Sequence, residues 1–231
     1  MPIVMVTGAN RGLGLEFCRQ YAEAGWGVLA CCRRPEAAAG LQSLTGRYPS
    51  VDSHAVDVRD FARIDELALA LAGTAIDVLI NNAGVYGDAG STGFGALDYE
   101  TWTAIFRVNT QAPVKIAEAF LPHVSRSQRK LIVTVSSLMG SIADNGSGGS
   151  FLYRSSKAAV NAAMHSLSID LRPKNVGVLI LHPGWVLTDM GGKNALITAA
   201  ESVAGMRHVI DKFNLGESGS FINYTGKHLP W

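Results

Sequence analysis

The chain has 231 residues, 48% hydrophobic and 17% charged, which is too apolar for a disordered protein and suits a single domain over residues 1–231. Lysine and arginine number 20 against 19 acidic residues, and a net charge of +1 leaves no strong field for nucleic acid. The three cysteines form no disulfide framework and favour a reducing compartment. No apolar run reaches ~18 residues and no signal peptide opens the chain, so we expect a cytoplasmic protein without a membrane span.

Seven short apolar segments, rich in β-branched residues, alternate with amphipathic stretches. Continuous apolar runs of about five residues are typical of strands buried on both faces. The alternation predicts an α/β, Rossmann-type, doubly wound fold, with a seven-stranded parallel sheet between two layers of helices. The predicted strands are Ile3–Thr7, Gly27–Cys32, Ser53–Val56, Val78–Asn81, Leu131–Ser136, Gly177–Leu181 and Phe221–Tyr224.

Apolar residues at helical spacing predict the connecting helices. The first runs through Leu13 and Tyr21 to an end at Gly25, and another covers Ile64 to Leu71. A longer helix covers Trp102 to Phe120 with an irregularity at Pro113, and a small-residue-rich helix runs from Tyr153 to Arg172. Thr188 to Gly205 is expected to be a mobile loop over the substrate, and Asn145–Ser150 a flexible loop.

The segment between the first strand and the first helix carries three glycines. Gly8 permits a tight turn, Gly12 lets the backbone approach a pyrophosphate, and Gly14 lets the helix pack on the sheet. The N-terminus of the helix also presents free N–H groups to phosphate oxygens. In this position the pattern predicts a dinucleotide site formed by Gly8, Asn10, Arg11, Gly12, Leu13 and Gly14.

The end of the second strand indicates which dinucleotide binds. An NAD site usually has an acidic residue there for the ribose 2′-hydroxyl, but this strand ends in Cys32-Arg33-Arg34. Arg33 can bind a 2′-phosphate through charge-assisted hydrogen bonds, and Arg11 can reach the same phosphate from the glycine loop. The sequence therefore favours NADP(H) over NAD(H).

Further polar motifs follow the fourth and fifth strands, where open parallel sheets bind ligands. Asn81-Asn82-Ala83-Gly84 ends the fourth strand, and Ser136-Ser137 ends the fifth. Tyr153 and Lys157 begin the long helix four residues apart, so they share one face. A positive charge beside a phenol lowers its pKa, and we expect Lys157 to make Tyr153 a usable proton donor in this way.

In this order, Thr-Gly-x3-Gly-x-Gly, Asn-Asn-Ala-Gly, Ser and Tyr-x3-Lys resemble the short-chain dehydrogenase/reductase family over nearly the whole chain. Within it, Ser136–Ile142, Tyr153–Lys157 and His182–Gly192 are similar to the sniffer-type carbonyl reductases and the C-factor (C-signal) proteins. The resemblance implies cofactor contacts from Asp57, Val58, Asn82, Ala83, Gly84, Tyr153, Lys157, Pro183, Gly184, Val186 and Thr188.

The resemblance also implies the catalytic residues, which are Asn109, Ser137, Tyr153 and Lys157. Strand alternation lets only one of Ser136 and Ser137 point into the site, and direct alignment of Ser-Ser-x-x-Gly selects Ser137. Ser137 would bind the substrate oxygen and Tyr153 would give it a proton. Lys157 would tune Tyr153 and bind the nicotinamide ribose, while Asn109 would hold a water near Lys157.

The implied activity is NADPH-dependent reduction of the carbonyl group of small aldehydes or ketones, with the hydride from nicotinamide C4 and the proton from Tyr153. The alternative is a C-factor-like protein of cell–cell signalling that uses the NADP-bound fold for binding. NAD-dependent alcohol oxidation is disfavoured by Arg33. Residues flanking the motifs are expected to line the substrate cavity: Tyr86, Phe94, Leu138, Trp185 and Met190.

Two expectations concern partners. The histidines show no metal-ligand spacing, so we expect no metal site. In the family the Tyr153 helix and the Trp102–Phe120 helix often pair with their symmetry mates, and four alanines between Ala158 and Ala163 permit close approach. A homodimer or homotetramer is expected on this ground.

Overall fold

A computed structural model describes residues 1–88 and 93–231 of the chain. Within these ranges the strands are β1 (Ile3–Thr7), β2 (Gly27–Cys32), β3 (Val51–Ala55), β4 (Val78–Asn81), β5 (Leu131–Val135), β6 (Gly177–His182) and β7 (Phe221–Asn223). The α-helices are α1 (Gly12–Glu23), α2 (Ala39–Arg47), α3 (Phe61–Ala70), α4 (Tyr99–Phe106), α5 (Ala112–Ser125), α6 (Phe151–Asp170) and α7 (Ala199–Lys212).

The strands form one parallel sheet in the order β3-β2-β1-β4-β5-β6-β7. The direction of the crossovers reverses between β1 and β4, which opens a crevice at the carboxyl ends of these two strands. Side chains of successive strand residues point to opposite faces, so Val4 and Val6 enter one core and Met5 the other. Residues of α1, α2 and α7 pack on the first face, and residues of α3, α5 and α6 on the second. The predicted three-layer fold is confirmed.

The helix expected from Trp102 to Phe120 is two helices. A wide turn over Arg107–Gln111 separates α4 from α5, and the N–H of Ala112 bonds to the Arg107 carbonyl, five residues earlier. Pro113 has no N–H to give to the carbonyl four residues before it, so a regular helix cannot continue here. The predicted irregularity therefore lies one turn before the proline, and it contains Asn109.

The expected substrate loop is shorter than predicted. It ends at Thr198, whose hydroxyl caps α7 by accepting the N–H of Glu201 at 3.1 Å. Residues 199–205 are therefore helical, and the prediction of a loop as far as Gly205 is wrong. Helix α2 was not among the predicted helices, because it carries two glycines and its sequence has no clear apolar period. Over the described residues, no helix is long and apolar enough to cross a membrane, and no group of three candidate ligands is placed to hold a metal.

Candidate active site

A cleft of about 710 Å³ lies at the carboxyl edge of the sheet, across the ends of β1 and β4. Most of the predicted cofactor residues line it, which follows from the meeting of parallel strand ends at one edge. These are Gly8, Asn10, Arg11, Gly12, Leu13, Gly14, Arg33, Asp57, Val58, Asn82, Ala83, Gly84, Tyr153, Lys157, Pro183 and Thr188.

Two predicted cofactor residues lie behind the cleft wall. Val186 is buried and forms an isolated bridge with Ile197. A Cβ on Gly184 would lie 2.7 Å from the Ile197 side chain and 2.9 Å from the Tyr224 ring. Both positions therefore shape the wall through their packing rather than facing the cavity.

The glycine loop requires glycine for steric reasons. Gly8 and Gly12 have φ values of +69° and +55°, a region that residues with a Cβ rarely adopt. A Cβ on Gly8 would lie 2.9 Å from the Ala83 backbone, whereas one on Gly12 would point into the cleft, 3.5 Å from the Thr188 methyl. The cradle at Gly12 is thus open in the direction that a phosphate would occupy, and it fits the predicted dinucleotide.

A network of hydrogen bonds joins the glycine loop to the end of β4. The Thr7 hydroxyl accepts the N–H groups of Asn82 and Ala83 at 3.0 and 3.1 Å. The Asn82 amide donates to the Thr7 carbonyl at 2.8 Å. Asn82 therefore lines the cleft, where a cofactor contact is predicted, and its side-chain amide also supports the glycine loop.

Three arginines line the cleft, and their positive charge favours a ligand that carries several phosphates. Arg33 is exposed on the wall after β2, and Arg11 forms an ion pair with Asp189 across the opening. Asp57 is hydrogen-bonded by Arg59 at 2.7 Å, which holds the pKa of this carboxyl below its usual range. Among the described residues lining the cleft, both carboxylates are therefore already paired with an arginine, and Arg33 is available for an anion.

Tyr153 and Lys157 lie on one face of α6, as their spacing predicted. The Lys157 ammonium is 5.7 Å from the centre of the Tyr153 ring and donates to the Val135 carbonyl at 3.0 Å. Burial raises the pKa of Tyr153 to about 12 and lowers the pKa of Lys157 to about 8. The pKa of the phenol is thus raised where a lowered value was expected, because removal from water outweighs the hydrogen bonding of the Ser137 hydroxyl.

The two serines after β5 diverge. Ser136 donates to the Asn161 side chain on α6 at 2.5 Å and is buried. The Ser137 hydroxyl lies beside the Tyr153 phenol, where its hydrogen bonding lowers the pKa of the phenol against the larger effect of burial. Successive side chains thus point to opposite sides, Ser136 toward Asn161 and Ser137 toward Tyr153.

Asn109 is held in the wide turn by its side chain. Its amide donates to the Val85 carbonyl at 2.8 Å and to the Ser156 hydroxyl at 3.0 Å, and its oxygen accepts the Val85 N–H at 2.9 Å. Both amide protons are used, so this side chain retains only one lone pair for a water. The structure places Asn109 as a clamp on the segment after β4.

Sequence reasoning assigned no role to Thr7, although it opens the glycine motif, and it missed Arg59 and Asp88. The two oxygens of the Asp88 carboxylate accept the N–H groups of Leu152 and Tyr153 at 3.2 and 2.8 Å. Thr7 could have been found because it ends β1 at the crevice. No local spacing signals Asp88, which lies 65 residues before Tyr153.

Aromatic side chains flank the reacting end of the cleft. The Tyr86 ring lies 5.0 Å from the Tyr153 ring, and Met190 lines the wall. Trp185 is about half exposed, and its indole N–H donates to Gly191 within the substrate loop. Phe94, expected in the cavity, is 90% exposed and its ring lies 6.4 Å from that of Phe151.

Comparisons with known proteins agree with this geometry. The model of the family described as short chain dehydrogenase matches residues 2–196. The chain is 45% identical to C-signal of Myxococcus xanthus over 156 residues, which are 68% of this chain and 93% of the relative. The solved carbonyl reductase Sniffer of D. melanogaster superposes with a TM-score of 0.92 at 34% identity, covering 100% of this chain and 99% of that one. The NADPH-bound carbonyl reductase from chicken fatty liver gives 0.93 at 33% identity over the full length of both.

Proposed function

Because this chain belongs to the short-chain dehydrogenase family, we propose that it is an NADPH-dependent reductase of the carbonyl group of small aldehydes or ketones. One observation carries the proposal: Tyr153 and Lys157 line the cleft on one face of α6, and the Ser137 hydroxyl lies beside the Tyr153 phenol. A phenol next to a hydroxyl can bind and protonate one substrate oxygen, whereas a protein that only binds a dinucleotide needs neither group.

The residues of the cleft can hold NADP(H) along its length. The glycine loop would bind the pyrophosphate, Arg33 the 2′-phosphate, and Asp57 with Val58 the adenine end. Lys157 would bind the nicotinamide ribose, and Pro183 with Thr188 the nicotinamide end. When bound, the nicotinamide supplies from its C4 the hydride that adds to the carbonyl carbon. The two carbonyl reductases similar to this chain, one of them NADPH-bound, support this choice of cofactor.

The side chains of the chain provide the other half of the reaction. Tyr153 gives its phenolic proton to the carbonyl oxygen as the new C–H bond forms, so that hydride and proton together yield an alcohol. Ser137 donates a hydrogen bond to the same oxygen and stabilises its developing negative charge. With a pKa of about 8, Lys157 is largely charged at neutral pH and stabilises the phenolate that remains.

The first experiment is a fluorescence titration with NADPH and NADH, followed by absorbance assays with aldehydes, ketones and diones. We expect tighter binding of NADPH and turnover of at least one carbonyl compound. Tyr153→Phe should keep NADPH binding and lose at least ~100-fold in turnover, a typical loss for a missing general acid. Near-normal turnover by this variant would contradict the proposal.

A second candidate is a signalling role, favoured by the 45% identity to C-signal. In this case the cofactor-bound fold would serve as a binding surface. Tight NADPH binding with no turnover across the carbonyl panel would favour this function, and the intact Ser137, Tyr153 and Lys157 argue against it.

We also propose a homodimer or homotetramer formed through α6. Ala162 on this helix is exposed, and Ala158, Ala159 and Ala163 are half-buried, so a second helix could approach closely. Size-exclusion chromatography with light scattering should give twice or four times the monomer mass, and a monomeric mass would contradict this. The cytoplasmic location stays a prediction.

A further inference from the structure

The N-terminus of α6, the helix that carries Tyr153, has no cap of its own. The residue at its N-cap position, Ser150, has a left-handed φ of +44°, and its side chain accepts no hydrogen bond from the helix. Its hydroxyl instead pairs with the Tyr86 hydroxyl at 2.9 Å. An N-cap side chain normally accepts the N–H of the second or third helical residue, which here are Leu152 and Tyr153.

Asp88 supplies the missing cap from a distant part of the chain. Its Oδ1 accepts the N–H of Leu152 at 3.2 Å and its Oδ2 accepts that of Tyr153 at 2.8 Å. These are the two donors that a local cap would satisfy, and a carboxylate at this end also interacts favourably with the helix dipole. One oxygen of Asp88 therefore fixes the backbone of Tyr153 itself.

The segment that bears Asp88 is anchored at its other end. The backbone N–H and carbonyl of Val85 are both bonded by Asn109, at 2.9 and 2.8 Å. Between the anchors, the Tyr86 ring packs 5.0 Å from the Tyr153 ring. The segment follows Ala83 and Gly84 of the cleft wall, so it connects that wall to the first turn of α6.

We propose that Asp88 is a positioning residue for Tyr153, which holds the phenol beside the Ser137 hydroxyl and in register with the cofactor cleft. The inference rests on the proposed reductase function. A local cap would stabilise α6 equally well but would not tie it to the end of β4. Misplacement of a reacting group by about 1 Å can cost ~100-fold in rate, so this tie has a catalytic consequence.

A matched pair of variants separates positioning from stability. Asp98 caps α4 in the same pattern, accepting the N–H groups of the second and third helical residues, Glu100 and Thr101, at 3.0 and 3.1 Å. Asp88→Ala and Asp98→Ala should lower the unfolding midpoint by similar amounts. Only Asp88→Ala should lower kcat, by about tenfold or more, with the Kd of NADPH unchanged within about twofold. Asp88→Asn keeps one acceptor oxygen and should restore part of kcat.

A double-mutant cycle tests whether Asp88 acts through Tyr153. In the Tyr153→Phe background, Asp88→Ala should reduce the residual kcat by less than twofold, because the phenol that Asp88 positions is already absent. The same fold-loss in both backgrounds, or full kcat in Asp88→Ala alone, would overturn the proposal.

Amide hydrogen exchange gives a readout that needs no substrate. The N–H groups of Leu152 and Tyr153 should exchange slowly in the wild type and in Asp98→Ala, and rapidly in Asp88→Ala. Rapid exchange in the wild type would show that the cap does not form, and would overturn the proposal. If the wild type reduces no carbonyl compound, the reductase function is wrong, while exchange at Tyr153 still decides whether Asp88 holds this residue.

Discussion

At the scale of single residues, the choice between the two dinucleotides depends on Arg33. We expect Arg33→Asp to weaken NADPH binding by about 10- to 100-fold, because a hydrogen bond to a charged group contributes about 1.5–3 kcal/mol. NADH binding should change little or improve, since a carboxylate can accept from a 2′-hydroxyl. Fluorescence titration with both cofactors measures this preference.

The neighbouring arginine provides the control. Arg34 is also exposed but lies outside the cleft wall, so Arg34→Asp should leave both affinities within about twofold. An equal loss for NADPH and NADH in Arg33→Asp would mean that Arg33 acts on the fold or the overall charge and makes no contact with a 2′-phosphate.

Local spacing was sufficient for some residues of the site and insufficient for others. The positions of Tyr153 and Lys157 on one helix face follow from four-residue spacing, which the chain itself encodes. The direction of the Tyr153 pKa shift was predicted wrongly, because it depends on burial by tertiary packing. Asp88 was missed for the same reason: its contact with Tyr153 spans 65 residues and exists only in the folded chain.

At the scale of elements, the turn after β5 must pack tightly on α6. A Cβ on Gly140 would lie 2.7 Å from the carbonyl carbon of Lys157 and 2.9 Å from its Cβ. Gly140→Ala should therefore push the turn that carries Ser137 away from α6, destabilise the protein by about 1–3 kcal/mol and reduce kcat. Thermal unfolding and steady-state assays measure the two effects.

Gly146 is the matched control for this substitution. It lies in the Asn145–Ser150 loop, and a Cβ there would meet no atom within 4 Å. Gly146→Ala should leave both stability and kcat near those of the wild type. If Gly140→Ala behaved in the same way, the close packing of the turn on α6 would be disproved.

Element boundaries were harder to predict than elements. The strands were placed to within about two residues because buried parallel strands are continuous apolar runs. The irregularity at Pro113 was predicted one turn too late, and the start of α7 at Ala199 was missed, because neither feature changes the apolar period. Both differences affect the site, since the first positions Asn109 and the second shortens the loop over the cleft.

At the scale of the whole molecule, the fold was predictable because seven apolar runs alternating with helices permit few arrangements. The fold places its polar motifs at one edge, and it also buries a lysine there. Lys157 is 5% exposed, and its pKa is about 8 against an ordinary 10.5. This site should therefore make the stability of the entire chain depend on pH.

The direction follows from proton binding in the two states. Between pH 8 and 10.5 the unfolded chain holds the Lys157 proton more tightly than the folded chain, so the free energy of unfolding rises with pH in this window. The contribution of Lys157 to the free energy of unfolding is fully present above 10.5, the ordinary pKa of lysine, and is lost as the pH falls through about 8. Tyr153 acts oppositely, because its pKa is raised from 10 to about 12 and its contribution falls only above pH 10. Burial also raises the pKa of the thiols of Cys18, Cys31 and Cys32 above the ordinary value of 9, so these groups lower the free energy of unfolding as the pH rises through this window. The contribution of the lysine is therefore measured as a difference between the wild type and a variant that lacks it.

Lys157→Met removes the titrating group. Urea unfolding should show that the wild type gains stability over this variant as the pH rises from 8 to 9.5, by up to about 1.4 kcal/mol per pH unit. The exposed Lys174 is the control, and the difference between the wild type and Lys174→Met should stay flat. A flat difference for Lys157→Met as well would mean that the ammonium is solvated in the folded protein. In that case Lys157 would still be charged at pH 9. The Lys157 ammonium would then stabilise the Tyr153 phenolate during catalysis until the pH approached 10.5, the ordinary pKa of lysine.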